Sequence, residues 1–164
     1  MVAFRALQAR DAARVLDAFV SDAAEMGRQG DVHDPATAHA YVARMTETPD
    51  IRTLVAVDDA DRLLAFAAVS VDQGNANGWV FYWAHPDARR RGITSQLVRA
   101  LADRELGEGG LYRLELGYRA NNPGSAAVAH AAGFVREGVE REKFLVNGKR
   151  VDVITAGRLK TDPV

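Results

Sequence analysis

An α/β fold with a mixed, mostly antiparallel central sheet is predicted for this 164-residue chain. Three observations predict it. Apolar residues switch between a helical and a two-residue period along the chain, giving the order β-α-α-β-β-β-α-β-α-β-β and so about seven strands. Residues 52–84 hold three strand-like runs joined by short polar turns, as an antiparallel meander would. Near the C-terminal end, Asn147-Gly148 is a favoured pair for a type I′ hairpin turn, because both residues tolerate positive φ.

Taken in order, Ala3 to Leu7 suits a first strand. Asp11 is placed to cap a helix whose apolar positions Val15, Leu16, Phe19 and Ala23 repeat with a helical period. Gly27 to Val32 reads as a loop. Asp34-Pro35 is a strong helix start, a capping residue followed by proline at the first helical position. Ala38, Tyr41, Val42 and Met45 then fall on one face. The meander follows, with strands Arg52 to Val57, Leu63 to Val71 and Trp79 to Ala84. A helix buries Ile93, Leu97, Val98 and Leu101. Tyr112 to Tyr118 is strand-like, and Pro123 to Ala132 is a short helix. Val135 to Val146 and Lys149 to Leu159 are the arms of the final hairpin.

A chain of this length most simply forms one domain, here 1–164, and buries enough surface to need no staple. Hydrophobic residues make up 48% and charged residues 26%, and the net charge is −1. That balance argues against a general nucleic-acid or membrane-surface binder, which would show a basic excess. No run approaches a membrane span. The first ten residues include Arg5 and Arg10 and lack the apolar stretch of a signal peptide, so a cytoplasmic location is expected. The absence of cysteine excludes disulfides, thiolate catalysis and Cys-based metal sites. No His/Asp/Glu spacing suggests a metal site either.

Two motifs carry the functional signal. The first is Arg89-Arg90-Arg91-Gly92-Ile93-Thr94-Ser95, lying between a strand and a helix. A loop of this kind offers several free backbone N–H groups and a helix N-terminus to a phosphate, with positive charge beside them. It is not a P-loop, since no Gly-Lys-Ser/Thr ending is present. The bland alternative is a solvated basic turn. The second motif is Asn122-Pro123-Gly124-Ser125, then Gly133-Phe134, Glu137-Gly138, Arg141-Glu142, Gly148 and Asp152. Asn122 and Ser125 also suit plain helix capping.

Together with the element order, these motifs resemble the GNAT family of N-acetyltransferases over nearly the whole chain. Tyr82-Trp83, His85-Pro86-Asp87 and the long second motif look like its RimJ/RimL-like branch, which acetylates ribosomal-protein N-termini and includes enzymes for small amines. The family pattern at the loop is Arg/Gln-x-x-Gly-x-Gly/Ala, and Thr94 departs from its last position. The resemblance implies helices on both faces of the sheet and acetyl-CoA as cosubstrate, with no metal. Backbone N–H groups of Arg90 to Ser95 would hold its pyrophosphate, and the side chains of Arg89, Arg90 and Arg91 could meet the 3′-phosphate. Backbone groups near Tyr82, Trp83 and Ala84 would meet the pantetheine arm in a gap between two splayed strands. An N–H there aimed at the developing oxyanion would stabilise it. Asn122 would touch the same arm.

By resemblance, Ser125 is the nearest candidate for the acid that protonates the leaving thiolate. Many relatives carry a tyrosine seven residues after the asparagine, where this chain has Ala129. For the base, some relatives carry an acidic residue at the position of Phe144; Glu142, two residues earlier, would share its face on a regular strand. Glu115, His33, His85 and His130 are further candidates, and Asp31, His33 and Asp34 could recognise a cationic amine. The implied partner is an amine acceptor, a small molecule or a protein N-terminus, and a homodimer is compatible with the resemblance. Two other classes are compatible with the sequence. One is a non-catalytic acyl-CoA-binding domain; the other is a nucleic-acid module using Arg89 to Arg91.

Overall fold

The computed structural model describes residues 1–163. Its strands are β1 (Ala3–Arg5), β2 (Ile51–Val57), β3 (Leu63–Asp72), β4 (Asn77–Ala84), β5 (Arg113–Arg119), β6 (Val135–Val146) and β7 (Lys149–Leu159). The helices are α1 (Ala12–Ser21), α2 (Ala23–Met26), α3 (Pro35–Glu47), α4 (Ile93–Leu106) and α5 (Pro123–Ala131). All seven strands join one sheet in the order β1-β2-β3-β4-β5-β7-β6. Every pairing is antiparallel except β4 with β5.

The sheet is covered on both faces. On one, α1 and α3 bury Val15, Phe19, Tyr41, Val42 and Met45 against Val55, Phe66, Ala68 and Trp83. On the other, α4 and α5 bury Leu97, Val98, Leu101 and Ala129 against Ala67, Val69, Val80 and Leu116. Strand β3 lies between the two cores, which is why its run of apolar residues alternates face yet stays buried. In the first core the indole of Trp83 stacks on Phe66 with centroids 5.5 Å apart. Its Nε1–H donates to the Tyr41 hydroxyl at 3.1 Å, and burial pushes that phenol up to about 12.

The expected element order is present apart from the added short helix α2, and the last hairpin has the expected bounds. Asn147 and Gly148 both have positive φ, 50° and 77°. Asp34 caps α3 by accepting the Thr37 N–H at 2.7 Å. Three local expectations need correcting. The first strand stops at Arg5. Asp11 makes no side-chain cap for α1, because a 3-10 turn at Ala9–Asp11 precedes the helix. Its buried carboxylate instead takes the Gln8 N–H at 2.8 Å and both terminal nitrogens of Arg5. Ala23 is exposed on α2, a separate helical turn, and Ala18 fills its expected place in the core.

Two glycines matter to the sheet. A Cβ on Gly78 would stand 2.3 Å from Val69 Cγ2 and 2.9 Å from Leu114 Cδ2, so glycine lets β4 pack closely where it meets β5. Over Gly157 of β7 runs an ion pair between Arg113 of β5 and Glu137 of β6; a Cβ there would meet both side chains below 3 Å. The Arg113 guanidinium holds the Glu137 carboxyl below the usual carboxylate range. A depressed folded pKa contributes stability above the unfolded value of 4.5, and that stability is lost as pH falls through the folded pKa. Thermal melts between about pH 5 and about pH 3 should therefore fall less steeply for Glu137→Gln than for the parent. Parallel slopes would show that the pair contributes nothing.

Candidate active site

Strands β4 and β5 pair only at Asn77–Arg113, Gly78–Leu114 and Trp79–Glu115. Beyond Trp79 they diverge, while β4 stays paired to β3 as far as Ala84. The phase of that ladder decides what the gap receives. His85 N–H bonds Leu64 C=O at 2.9 Å, so alternate residues, Trp83 and Phe81, exchange their bonds with β3. Val80, Tyr82 and Ala84 then direct their backbone groups to the cleft. Of the three residues expected there, Trp83 is thus turned inward, and its side chain belongs to the core under α1 and α3. Tyr82 and Ala84 are turned outward.

At the end of β4 a 3-10 turn, Pro86–Ala88, leads into the arginine loop. Arg90 and Gly92 both adopt positive φ, 59° and 72°. Alternation of left- and right-handed residues turns successive N–H groups to one side, the geometry of an anion nest. The first intrahelical bond of α4 is Gln96 N–H to Gly92 C=O, so the N–H groups of Arg90 to Ser95 have no acceptor among the described residues. Thr94 does not disturb this start, since α4 begins at Ile93 with Gly92 before it. The three arginines differ. Arg89 pairs with Asp22 and reaches Ala84 C=O, fastening the loop to the α1–α2 junction. Arg90 and Arg91 are exposed and make no ion pair among the described residues.

Across the gap, Asn122 Oδ1 accepts the Ser125 N–H at 3.0 Å and caps α5. This leaves its amide N–H₂ and the Ser125 hydroxyl without a partner among the described residues. Tyr82 Oη reaches the Ser125 carbonyl at 3.4 Å, and burial raises its pKa.

These residues surround two adjoining cavities. The first, of about 580 Å³, is lined by Tyr82, Trp83, Ala84, the whole segment Arg89 to Ser95, Asn122 and Ser125. All the residues expected at the cofactor therefore meet around one hollow. The second, of about 430 Å³, lies toward the C-terminal hairpin and is lined by Trp79, Phe81, Tyr118, Arg119, Arg28 and Phe144 among others. The two share a wall made of Glu25, Gln29, Tyr82, Asn122 and Ser125. The fit to an acyl-CoA is physical: free N–H groups and exposed guanidiniums at one end, and a splayed strand edge in the middle.

The expected catalytic pair is not brought together. Strand β6 bulges between Glu140 and Phe144, with Asp152 opposing three residues, and Glu142 has φ 53°. The same-face relation of Glu142 and Phe144 therefore fails. Glu142 donates its N–H to Asp152 at 2.7 Å and lines a separate surface hollow with Arg141. Phe144, with Leu145 and Val146, lines the second cavity, and Glu142 does not. Glu115 is held by Arg113 at 2.7 Å. His33 and His130 are exposed, and neither lines either of these two cavities. Asp31 and Asp34 also lie off both cavities. His85 is buried between Asp17, at 2.9 Å, and Asp87, at 2.7 Å, with Arg14 bridging the two carboxylates. Ala129, where relatives have tyrosine, is core. Among the described residues, no group of three His, Cys, Asp or Glu could hold a metal ion, and no helix is long and apolar enough to cross a membrane.

Such an architecture, a sheet split beside a nest at a helix start, defines an acyl-CoA-dependent transferase. The chain belongs to the acetyltransferase (GNAT) family, whose model matches residues 16–134. It is 25% identical to YdaF of Bacillus subtilis (strain 168), named as a ribosomal N-acetyltransferase, over 98% of this chain and 92% of that one. The ribosomal-protein-S5-alanine acetyltransferase of Vibrio fischeri superposes with a TM-score of 0.85 at 21% identity, covering 98% and 94% of the two chains. RimL, a ribosomal L7/L12 α-N-protein acetyltransferase solved with coenzyme A, gives 0.84 at 18%, covering 96% and 93%. The protein is an acetyl-CoA-dependent N-acetyltransferase, similar to the RimJ/RimL-like branch.

Glu25, Arg28, Gln29 and Arg119 were not visible as site residues in the sequence. Glu25 sits on one helical turn, and Arg119 ends a strand. Only folding carries α2 across the sheet, where Glu25 meets Arg119 at 3.0 Å, 94 residues away.

Proposed function

We propose that this protein transfers an acetyl group from acetyl-CoA to a primary amine by direct attack within a ternary complex. The observation that carries this reading is the shared wall: two hollows of different character meet at Tyr82, Asn122 and Ser125. Bound acetyl-CoA supplies an acetyl thioester. The nest at Arg90 to Ser95 holds its phosphates, while the cleft-facing backbone of Tyr82 and Ala84 orients the arm and donates toward the developing oxyanion. As the amine nitrogen bonds the carbonyl carbon, the carbon–sulfur bond breaks. The amine loses a proton and the thiolate gains one. No acyl-enzyme is required, and the chain contains no cysteine to form one.

Ser125 remains the proposed donor to the thiolate, since its hydroxyl lies on the shared wall without another partner. Ser125→Ala should lower kcat by about tenfold or more while leaving acetyl-CoA affinity nearly unchanged, because acid help is needed only as sulfur leaves. Steady-state rates and calorimetry on one preparation check this. Tyr82 is the rival donor: a phenol carries its proton at neutral pH, and this one lies on the shared wall beside Ser125. Loss of rate in Tyr82→Phe with none in Ser125→Ala would transfer the role. Glu142 is withdrawn from the proposed machinery by its position in the bulge.

A second reading, a non-catalytic acyl-CoA-binding domain, is favoured by one observation. The single carboxylate on the shared wall, Glu25, is already engaged by Arg28 and Arg119. Calorimetric titration with acetyl-CoA and CoA, followed by an amine panel read by CoA release, separates the two. Binding with amine-dependent release supports catalysis; binding without it supports the second reading.

A further inference from the structure

The second cavity has an unusual charge balance. Its ionisable lining apart from tyrosines is one carboxylate, Glu25, and two guanidiniums, Arg28 and Arg119. Glu25 pairs with Arg28 at 2.8 Å and with Arg119 at 3.0 Å, which leaves one net positive charge. Arg119 is the more enclosed, its side chain 14% exposed. One of its nitrogens donates to Glu25; Nε and Nη1 have no protein acceptor among the described residues. No enclosed side-chain nitrogen or oxygen among those residues lacks a partner, so these two nitrogens keep contact with solvent, and Arg119 lines the cavity. Nε and Nη1 lie on opposite edges of the guanidinium, and Nη2 carries a second N–H besides the one given to Glu25; a carboxylate beside Glu25 can therefore take that N–H together with Nε or Nη1 in two parallel hydrogen bonds.

Apart from Gln29, Asn122 and Ser125 on and beside the shared wall, the rest of the lining is apolar and aromatic. Trp79 and Phe144, each 44% exposed overall, line the cavity with Phe81 and Tyr118. Large rings left open in a concave site mark a surface meant for an apolar group. A polycation finds the opposite of what it needs, since the one carboxylate is already shared by two arginines.

We propose that the acceptor is a small amine that carries both an apolar side chain and a carboxylate, of the class of free apolar amino acids. Arg119, with Arg28, reads the carboxylate; Trp79 and Phe144 take the side chain; the amine lies toward the shared wall at Tyr82 and Ser125. This rests on the N-acetyltransferase reading and specifies its acceptor.

The test compares L-phenylalanine and L-leucine with their amides, and with spermidine and a short peptide bearing a free N-terminal alanine, by CoA release. An amino amide gives up its ammonium proton more readily than the acid, so intrinsic reactivity favours the amide. The expected result is kcat/KM at least about tenfold higher for the acids. Arg119→Gln should erase that preference with acetyl-CoA affinity unchanged, and Arg119→Lys should restore part of it. Arg28→Gln should reduce it without relying on the more enclosed arginine. Equal rates for acid and amide, or preference for spermidine or the peptide, overturn the acceptor class and leave the N-acetyltransferase reading standing. Should no amine turn over, calorimetry of phenylalanine and its amide on the CoA-saturated protein decides the proposal separately. Tighter binding of the acid, lost in Arg119→Gln, upholds the site; equal or absent binding overturns it.

Discussion

Gly92→Glu is expected to abolish acetyl-CoA binding in a protein that still folds. Two effects act at that position. With φ at 72°, any residue with a Cβ is strained there by roughly 1–2 kcal/mol. The added Cβ meets only Gln96 Nε2, at 3.9 Å, so there is open space within the protein for the side chain. That space is the mouth of the nest. A carboxylate placed there competes with a phosphate for the N–H groups of Arg90 to Ser95 and repels it in a partly enclosed site. Calorimetry should show affinity for acetyl-CoA reduced by at least about a hundredfold, equivalent to roughly 2.7 kcal/mol. The melting temperature should drop only by what the strain requires. Gly92→Asn separates the causes, because asparagine tolerates positive φ and carries no charge; it should bind the cofactor measurably. Unchanged affinity in the glutamate variant would remove the loop from the cofactor site.

Glu105→Ala should have the largest effect on stability among the charged positions. Glu105 lies at the C-terminal end of α4 with its side chain 2% exposed. One carboxylate oxygen takes Arg52 Nη1 at 2.6 Å, and the other takes Arg104 Nε at 2.8 Å. Arg52 also donates to Gly109 C=O at 2.9 Å, so the carboxylate ties α4 and the loop after it to β2. Truncation leaves two arginines facing each other around a small void. Breaking a buried pair costs ~3–5 kcal/mol; because Arg52 and Arg104 are about one-third exposed, a lower figure of roughly 2–3 kcal/mol is expected. In a chain of this size that lowers the melting temperature by roughly 5–10 °C. Differential scanning fluorimetry would check it. A change of a degree or less would mean that water replaces the carboxylate without cost. Since α4 also supplies the nest, acetyl-CoA should recover part of the lost stability by mass action.

Much of the fold is legible in short stretches of the chain. Asp34-Pro35 marks a helix start and Asn147-Gly148 a hairpin turn because each depends on neighbours in sequence, through a cap and through positive φ. The arginine loop is legible for the same reason: a nest and a helix N-terminus are built from consecutive residues. Local patterns mislead where an outcome depends on distant partners. Asp11 has the pattern of a cap, but its carboxylate is drawn to Arg5 and the Gln8 N–H. Glu142 has the pattern of a strand residue in phase with Phe144, yet a bulge opposite Asp152 moves it to another surface.

By itself, then, the sequence determined the element order, the hairpin, and a basic glycine-containing loop at a helix start. All of these arise from short-range backbone preferences and hydrophobic period. Only the tertiary structure decided which side chains share the second cavity. Glu25 and Arg119 meet because the sheet opens after Trp79 and α2 is folded across the opening, a consequence of packing both faces of β3 at once. A residue's part in such a cavity is set by long-range contacts, which leave no periodic trace along the chain.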